Sequence, residues 1–489
     1  MHTIDFLIVF LYVIGCTAIG AYIGSGTREL KGYFLGERNI PAWAVMISIV
    51  ATETSTATFL SVPGIAYKGD LTFLQLPLGY LVGRLIVATV LLPAYFRGQI
   101  FTAYQVLKER FGGATRTTAS VLFLATRVMA DGLRLFLAAK VLQLITHWPI
   151  EYAIVAVGLT TVVYTFLGGM KAVIWIDVIQ FAIYIVGAIV ALLILVGKLP
   201  GGWGQIWEQA GSADKLRVFD FRFDLTREYT FWSGLIGGMV LNTATHGADQ
   251  LMVQRYLAAR SERQAAGALL ASGFVVLAQF ALFLFIGVAL FVFYRAYPPP
   301  EPAAAIGRDS EFAYFIIHYL PTGLLGVVVA AIFSAAMGTL SGSLNASAST
   351  TVNDLYRPLA PQADERHLLR VSRVLTAVWG VAQMGMAFVA IGLQQNVVTN
   401  ALSIASFTTG IVLGLFLLGI FTRVGQRAAL TGLLAGLAAV SFARFGTSLA
   451  WPWLALVGSS TVFSVGSIVG SFLPKVPAPG AAPPVTSRV

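Results

Sequence analysis

The sequence predicts an all-α integral membrane protein of about thirteen transmembrane helices, and three observations carry that prediction. The 489-residue chain is 57% hydrophobic and only 11% charged, with a mean hydropathy of +0.79. Soluble domains carry roughly 25% charged residues, so a water-facing globule of this size would lack the polar surface to cover itself. Apolar stretches of about 20 residues, the length that crosses a hydrocarbon core, recur from end to end. Between them the basic residues collect in alternate short loops, as the positive-inside bias requires.

The elements follow in order. Residues 1–40 hold an extra first helix, 4–24, and a loop with Arg28, Lys31 and Arg38. Asp5 stands where a signal peptide would carry basic residues, and the segment is long enough to span, so it reads as a retained helix. Residues 41–198 supply five helices, 41–67, 73–96, 118–146, 152–168 and 172–198. A charged outer loop, 199–230, separates them from five more in 231–422: 231–253, 268–294, 324–352, 368–393 and 397–421. Two extra helices, 428–445 and 451–472, fill residues 423–473, and the Pro- and Ala-rich tail 474–489 is expected to be disordered.

The basic loops hold Arg97, Lys108, Arg110 and Arg116, then Lys171, then Arg255, Arg260 and Arg263, then Arg357 to Arg373, then Arg423 and Arg427. The opposite short loops, such as "HWPI" and "QQN", are nearly bare. This places the N-terminus outside and the C-terminus in the cytoplasm, in the inner (plasma) membrane. It also accounts for most of the net charge of +10, so no nucleic-acid partner is expected. Cys16 is the single cysteine, which excludes an internal disulfide. No Walker A loop is present, so ATP does not drive the chain.

Ionisable groups inside membrane helices are costly and mark functional sites. Those singled out are Glu53, then Arg127, Asp131 and Arg134, then Asp177, then His246 and Asp249. Glu53 lies in "SIVATETSTATFLSVPG", a polar run inside an apolar segment. Thr and Ser there either bond back and bend the helix or mark a broken helix whose freed carbonyls hold a cation. A second run, "SAAMGTLSGSLNASASTT" from Ser334, supplies hydroxyls at Thr339, Ser341 and Ser343 that suit a hard cation. A third interruption lies in "GGMVLNTATHGADQ". Both five-helix groups thus begin with a polar-interrupted helix, the pattern of an inverted-repeat secondary transporter with its site near the midplane. Arg127, Asp131 and Arg134 share one helical face. They form either an internal ion-pair ladder or a site where an arginine meets a substrate carboxylate.

Three ordered motifs then resemble one family. "GGMKAVIWIDVIQ", "ADQLMVQRYLAAR" and "SLNASASTTVNDLYRP" are similar to the fifth, sixth and eighth core helices of the sodium:solute symporter family. That family includes bacterial sugar, proline and sialic acid symporters and animal glucose, iodide and monocarboxylate symporters. The resemblance implies an inverted five-plus-five helix repeat core with broken first and sixth core helices. It implies a sodium site formed by backbone carbonyls of Ala51 and Thr54, the carbonyl of Ala335, the position of Gly338 and the hydroxyl of Thr339. Gly338 stands where the family usually has a hydroxyl residue; a water or the hydroxyl of Thr54 is the candidate replacement. Asp177 and Ser341 fit a second ion site, although Gly342 removes its next hydroxyl.

The resulting expectation is a monomeric, sodium-coupled symporter in a lipid bilayer, importing a small polar solute by alternating access. If Arg127 pairs with Asp131, Arg134 is left at the midplane as the cation for a carboxylate-bearing solute such as a sugar acid or monocarboxylate. Ser55, Thr58, Gln75 and Asp249 would complete the substrate site. The alternative for Arg134 is packing against Asp131. The alternatives for function are proton coupling through Asp177 or sodium-coupled transport of a neutral sugar. A channel lacks a repeated pore loop here, a sensor lacks an attached signalling domain, and single separate carboxylates do not suggest an enzyme.

Overall fold

The computed structural model describes residues 2–24, 29–97, 100–146, 148–299, 311–392 and 397–474. Arg28, the loop segment 300–310, the "QQN" turn and the tail 475–489 lie outside the described residues. The described residues fold as helices with no strand, as a bilayer demands of a chain that must satisfy its own backbone.

The helices that position the site are α1 (Thr3–Gly24), α2 (Ala42–Glu53), α3 (Thr56–Lys68), α4 (Gln75–Ile86), α5 (Gly113–Thr146), α6 (Ile150–Lys198), α7 (Gly238–Ala248), α8 (Gln250–Leu257), α9 (Glu262–Ala296), α10 (Leu324–Thr350) and α11 (Glu365–Ala390). They are followed by α12 (Val397–Phe421), α13 (Gln426–Gly446) and α14 (Leu454–Ser471). Among the described residues eight helices are long and apolar enough to cross a bilayer, nine when α2 and α3, bent by 60°, count as one span.

The predicted helices 152–168 and 172–198 are both present as the two arms of α6, which meet at a kink at Gly169 with φ 60° and ψ −166°. The positive φ suits glycine, and a Cβ there would lie 2.7 Å from the Tyr33 carbonyl oxygen. At 49 residues and about 1.5 Å per residue, α6 is more than twice the length one crossing needs.

Burial separates the core from the lipid-facing rim. From Leu325 to Thr350 almost every residue of α10 is buried, and its Gly, Ala and Ser content permits close approach on all sides. It packs against α6, α5, α1 and α11. By contrast α1 leaves Phe6, Leu7, Phe10, Leu11 and Ile14 exposed, a face for acyl chains. Asp5 ties this peripheral helix to the core. Its Oδ1 accepts the backbone N–H groups of Gly323 (2.7 Å) and Gly326 (2.9 Å), capping the start of α10 with an acid contributed by another helix. The final pair, α13 and α14, pack on each other, and α14 packs on α12.

Candidate functional site

Two helix breaks and one unbroken helix build the site. α2 ends at Glu53, and Thr54 (φ −92°, ψ 101°) and Ser55 (φ −98°, ψ 170°) are extended. Ser55 then starts α3 through a reciprocal cap. Its hydroxyl accepts Thr58 N–H at 3.4 Å, and the Thr58 hydroxyl accepts Ser55 N–H at 3.4 Å. The hydroxyl-rich run is therefore what lets the chain leave and re-enter a helix inside a membrane. α7 and α8 are broken in the same way at Asp249 (φ −92°, ψ 122°), whose carboxylate caps α8 by accepting Leu251 N–H at 2.9 Å.

The unbroken helix is α10, which meets the first break. The Thr339 hydroxyl lies 3.2 Å from the Thr52 carbonyl oxygen, 3.5 Å from that of Thr54 and 3.4 Å from that of Ala335. Four oxygens thus converge where two helices meet, the ligand type a hard cation takes. Thr52 is nearer than any carbonyl named from the sequence. The backbone of Ala51 belongs to the same last turn. The Thr54 hydroxyl does not replace the one missing at Gly338. It donates to the Val50 carbonyl (2.9 Å) and accepts from Tyr184 (3.1 Å) and Gln279 (2.6 Å), so both of its lone pairs and its proton are committed. Gly338 instead faces α6: a Cβ there would lie 2.7 Å from Gln180 Oε1 and 3.2 Å from Asp177 Oδ1.

Asp177 has a resident cation. Its Oδ2 accepts the Ser48 hydroxyl (2.5 Å) and Arg255 Nη2 (3.2 Å), while Oδ1 has no hydrogen-bond partner among the described residues. Arg255, placed by the sequence among the loop arginines, is fully buried. Its guanidinium fits because residue 342 is glycine: a Cβ there would come within 2.4 Å of Arg255 Nη2. Ser341 turns its hydroxyl back to the Gly338 carbonyl (3.1 Å). The expected second ion pair of Asp177 and Ser341 is thus a carboxylate already neutralised by an arginine and a hydroxyl engaged elsewhere.

Beside the first break lies a cavity of about 120 Å³, lined by Thr52, Glu53, Ser55 and Thr58, by Arg127 and Arg134, and by Asn242, His246 and Asp249 among others. Phe73, Tyr80 and Phe280 add aromatic walls. Ser55, Thr58, Arg134 and Asp249 are therefore brought together. Gln75 is not. Its side chain donates to the carbonyls of Thr72 (3.0 Å) and Tyr229 (3.4 Å) and accepts Asp220 N–H (3.1 Å), fastening the outer loop to the start of α4.

The arginines pair differently from the sequence expectation. Arg134 bonds Asp131, and Arg127 bonds Asp249; Arg127 Nη1 stays 3.9 Å from Asp131. The i,i+3 partner wins over the i,i+4 partner because Arg127 finds a carboxylate across the cavity that sequence spacing cannot reveal. Arg134 is thus paired, but its Nε has no hydrogen-bond partner among the described residues and its side chain keeps 17% exposure. A third pair was not anticipated. Arg84 bonds Glu53 and donates from Nε to Ser272 (3.2 Å). The same Glu53 oxygen, Oε1, lies 2.9 Å from His246 Nε2, with His246 Nδ1 2.5 Å from the Tyr256 hydroxyl. A charge in mid-span, the signal that singled out Glu53, marks Arg84 equally.

Paired broken helices facing a packed helix, with an oxygen cluster and a polar cavity between them, define a secondary transporter of the inverted-repeat kind. The model of the sodium:solute symporter family matches residues 33–436. The chain is 30% identical over 450 residues to the sodium-dependent multivitamin transporter of Oryctolagus cuniculus, covering 89% of this chain and 69% of that protein. It is 30% identical over 454 residues to the sodium-coupled monocarboxylate transporter 1 of Xenopus laevis, covering 92% and 73%. A substrate-bound, outward-open structure of a Na+-coupled sialic acid symporter superposes with a TM-score of 0.89 at 28% identity, covering 97% of this chain and 99% of that one. The chain belongs to the sodium:solute symporter family.

Proposed function

We propose that this protein is a sodium-driven symporter that imports a small carboxylate-bearing solute by alternating access. The observation that carries the reading is the contact of Thr339 with the Thr52, Thr54 and Ala335 carbonyls, immediately beside the cavity lined by Ser55, Thr58 and Arg134. Sodium would be held by carbonyls of the broken turn, including Ala51 and Thr54, by the Ala335 carbonyl and by the Thr339 hydroxyl. Its binding joins α10 to the α2–α3 break. Since the same break lines the cavity, ion and solute affinities are linked, each raising the other by the same factor.

The carboxylate assignment rests on Arg134, which lines the cavity and keeps 17% side-chain exposure after pairing with Asp131. A solute carboxylate can accept from it while Ser55 and Thr58 at the start of α3 offer hydroxyls near a helix N-terminus. The relatives, a sodium-coupled monocarboxylate transporter and a Na+-coupled sialic acid symporter, support an anionic cargo. Asp177, neutralised by Arg255, supports the fold around the ion rather than carrying a second one. The protein would act as a monomer in the plasma membrane, with its N-terminus outside and its C-terminus in the cytoplasm.

The test is uptake of labelled sialic acid and lactate into proteoliposomes under an inward sodium gradient or a choline control, with the neutral amides as competitors. Sodium-dependent uptake of an acid, lost in Arg134→Gln, is expected. Equal uptake in sodium and choline removes the sodium reading. Equal competition by acids and amides removes the carboxylate reading.

A further inference from the structure

We infer that Asp131 is a positioning residue that transmits sodium binding to Arg134. The inference rests on the proposed sodium and solute sites, and the residues it adds, Ser343 and Asp131, are placed in neither.

Asp131 is fully buried in the middle of α5. Its two oxygens serve two different elements. Oδ1 takes Arg134, whose side chain lines the cavity. Oδ2 takes the hydroxyl of Ser343, which belongs to α10. The Ser343 oxygen in turn accepts Gln383 Nε2 at 3.0 Å from α11, so the serine proton is directed to Asp131. Ser343 follows Thr339 by four residues on one helix, so the two share a face, one turn apart. A continuous connection therefore runs from the oxygen cluster through one rigid turn of α10 to Ser343, to Asp131, and to the guanidinium that faces the solute.

The chemistry gives this connection a direction of action. An ion held between Thr339 and the Thr52–Thr54 carbonyls fixes α10 against the break. Ser343 moves with that turn, and the carboxylate of Asp131 follows its hydroxyl. Buried charge pairs are held tightly because either partner alone would be left uncompensated. Arg134 consequently keeps station on Asp131 and presents the exposed part of its side chain to the cavity. Without the ion, only the Thr339 hydrogen bonds to the Thr52 and Thr54 carbonyls join α10 to the break, and the aim of Arg134 is set less firmly. Arg127 does not duplicate the link, since its partner is Asp249 at the other break.

The experiment measures the ratio of solute Kd in choline chloride to that in sodium chloride, for the purified full chain with N-acetylneuraminate and with lactate as probes. Coupling free energies between sites correspond to about 5- to 150-fold, and wild type is expected in that range. Ser343→Ala cuts the tether while leaving the Asp131–Arg134 pair in place. Its ratio should fall to about 2 or less while solute binding without sodium persists. Ser343→Thr retains the hydroxyl and should keep the wild-type ratio. Ser343→Cys, close in volume with a weak donor, serves if the alanine variant does not fold, with the same fall expected. A purely structural role would lower the melting temperature and leave the ratio alone. An unchanged ratio in Ser343→Ala or Ser343→Cys overturns the relay while the symport reading stands. A wild type that binds neither acid, or binds one equally in both salts, overturns the symport reading and the relay with it.

Discussion

Replacing Thr339 by valine removes one hydroxyl and preserves the side chain's shape. The structure gives this hydroxyl two duties. Without an ion its proton is shared among carbonyls at 3.2, 3.4 and 3.5 Å, a neutral hydrogen bond that contributes about 1 kcal/mol. With sodium bound it must rotate its lone pair toward the ion. A charged partner raises the interaction to about 1.5–3 kcal/mol. Both states lose something in Thr339→Val, so the net weakening of sodium binding is the difference, about 0.5–2 kcal/mol, or about 2- to 30-fold. The assay is the sodium concentration that half-activates acid uptake, paired with a direct sodium titration of intrinsic tryptophan fluorescence. Both should move to higher sodium by the same factor. A half-activating concentration equal to wild type, with uptake intact, would refute the placement of sodium at this cluster.

Other substitutions test neighbouring parts. Gly342→Ala places a methyl 2.4 Å from Arg255 Nη2 and should displace the guanidinium from Asp177, lowering the melting temperature and abolishing uptake. Asp177→Asn keeps the shape but leaves Arg255 as an uncompensated buried cation; stability should fall by about 3–5 kcal/mol in a thermal-shift assay, with the sodium Hill coefficient unchanged. Gln75→Ala releases the outer loop from α4 and should speed hydrogen exchange around Asp220 while leaving the solute Kd within about twofold. Arg134→Gln removes a positive charge near the break, so sodium affinity without solute should tighten by about tenfold even as acid binding is lost. Asp354→Ala removes the acceptor of Thr102 (2.9 Å) and Ser120 (3.0 Å) and should raise hydrogen exchange in residues 101–111.

The two breaks were legible because they are local. A mid-span run of Thr and Ser offers the backbone an alternative to the helical ladder, and Ser55 and Thr58 realise it as a reciprocal cap. Thr339 facing the break followed from the family motif. What stayed hidden is long-range. Nothing in the spacing of Arg127, Asp131 and Arg134 reveals that Asp249, on a helix 122 residues away, takes Arg127 and leaves Asp131 to Arg134. Arg255 lies in α8 just after a helix break, where the sequence groups it with the loop arginines, and only the glycine at 342 hints that room exists for it in the core. Gln75 carries an amide that suits a solute, yet three backbone groups of its own chain consume it. Arg84 was legible in principle, by the rule that a charge in mid-span has a buried partner.

The charge balance of the cavity explains why an ion is needed at all. Among the described residues around it, Glu53 is matched by Arg84, Asp249 by Arg127 and Asp131 by Arg134, so with His246 neutral the pairs sum to zero. A monocarboxylate entering this setting would bring a net negative charge into a buried site whose own charges are already balanced. No arginine is left over to neutralise it, because each already answers a carboxylate. Sodium at the proposed site in the break would supply the missing charge. At a separation of about 10 Å and an effective dielectric of about 20, two unit charges attract by about 1.7 kcal/mol, close to a 20-fold increase in affinity for each partner in the presence of the other. A cavity with an unpaired arginine would bind the acid well without sodium and lose that gain. The internal pairing of Arg134 therefore favours coupling: the arginine would supply direction through the part of its side chain exposed to the cavity, and the ion would supply the charge.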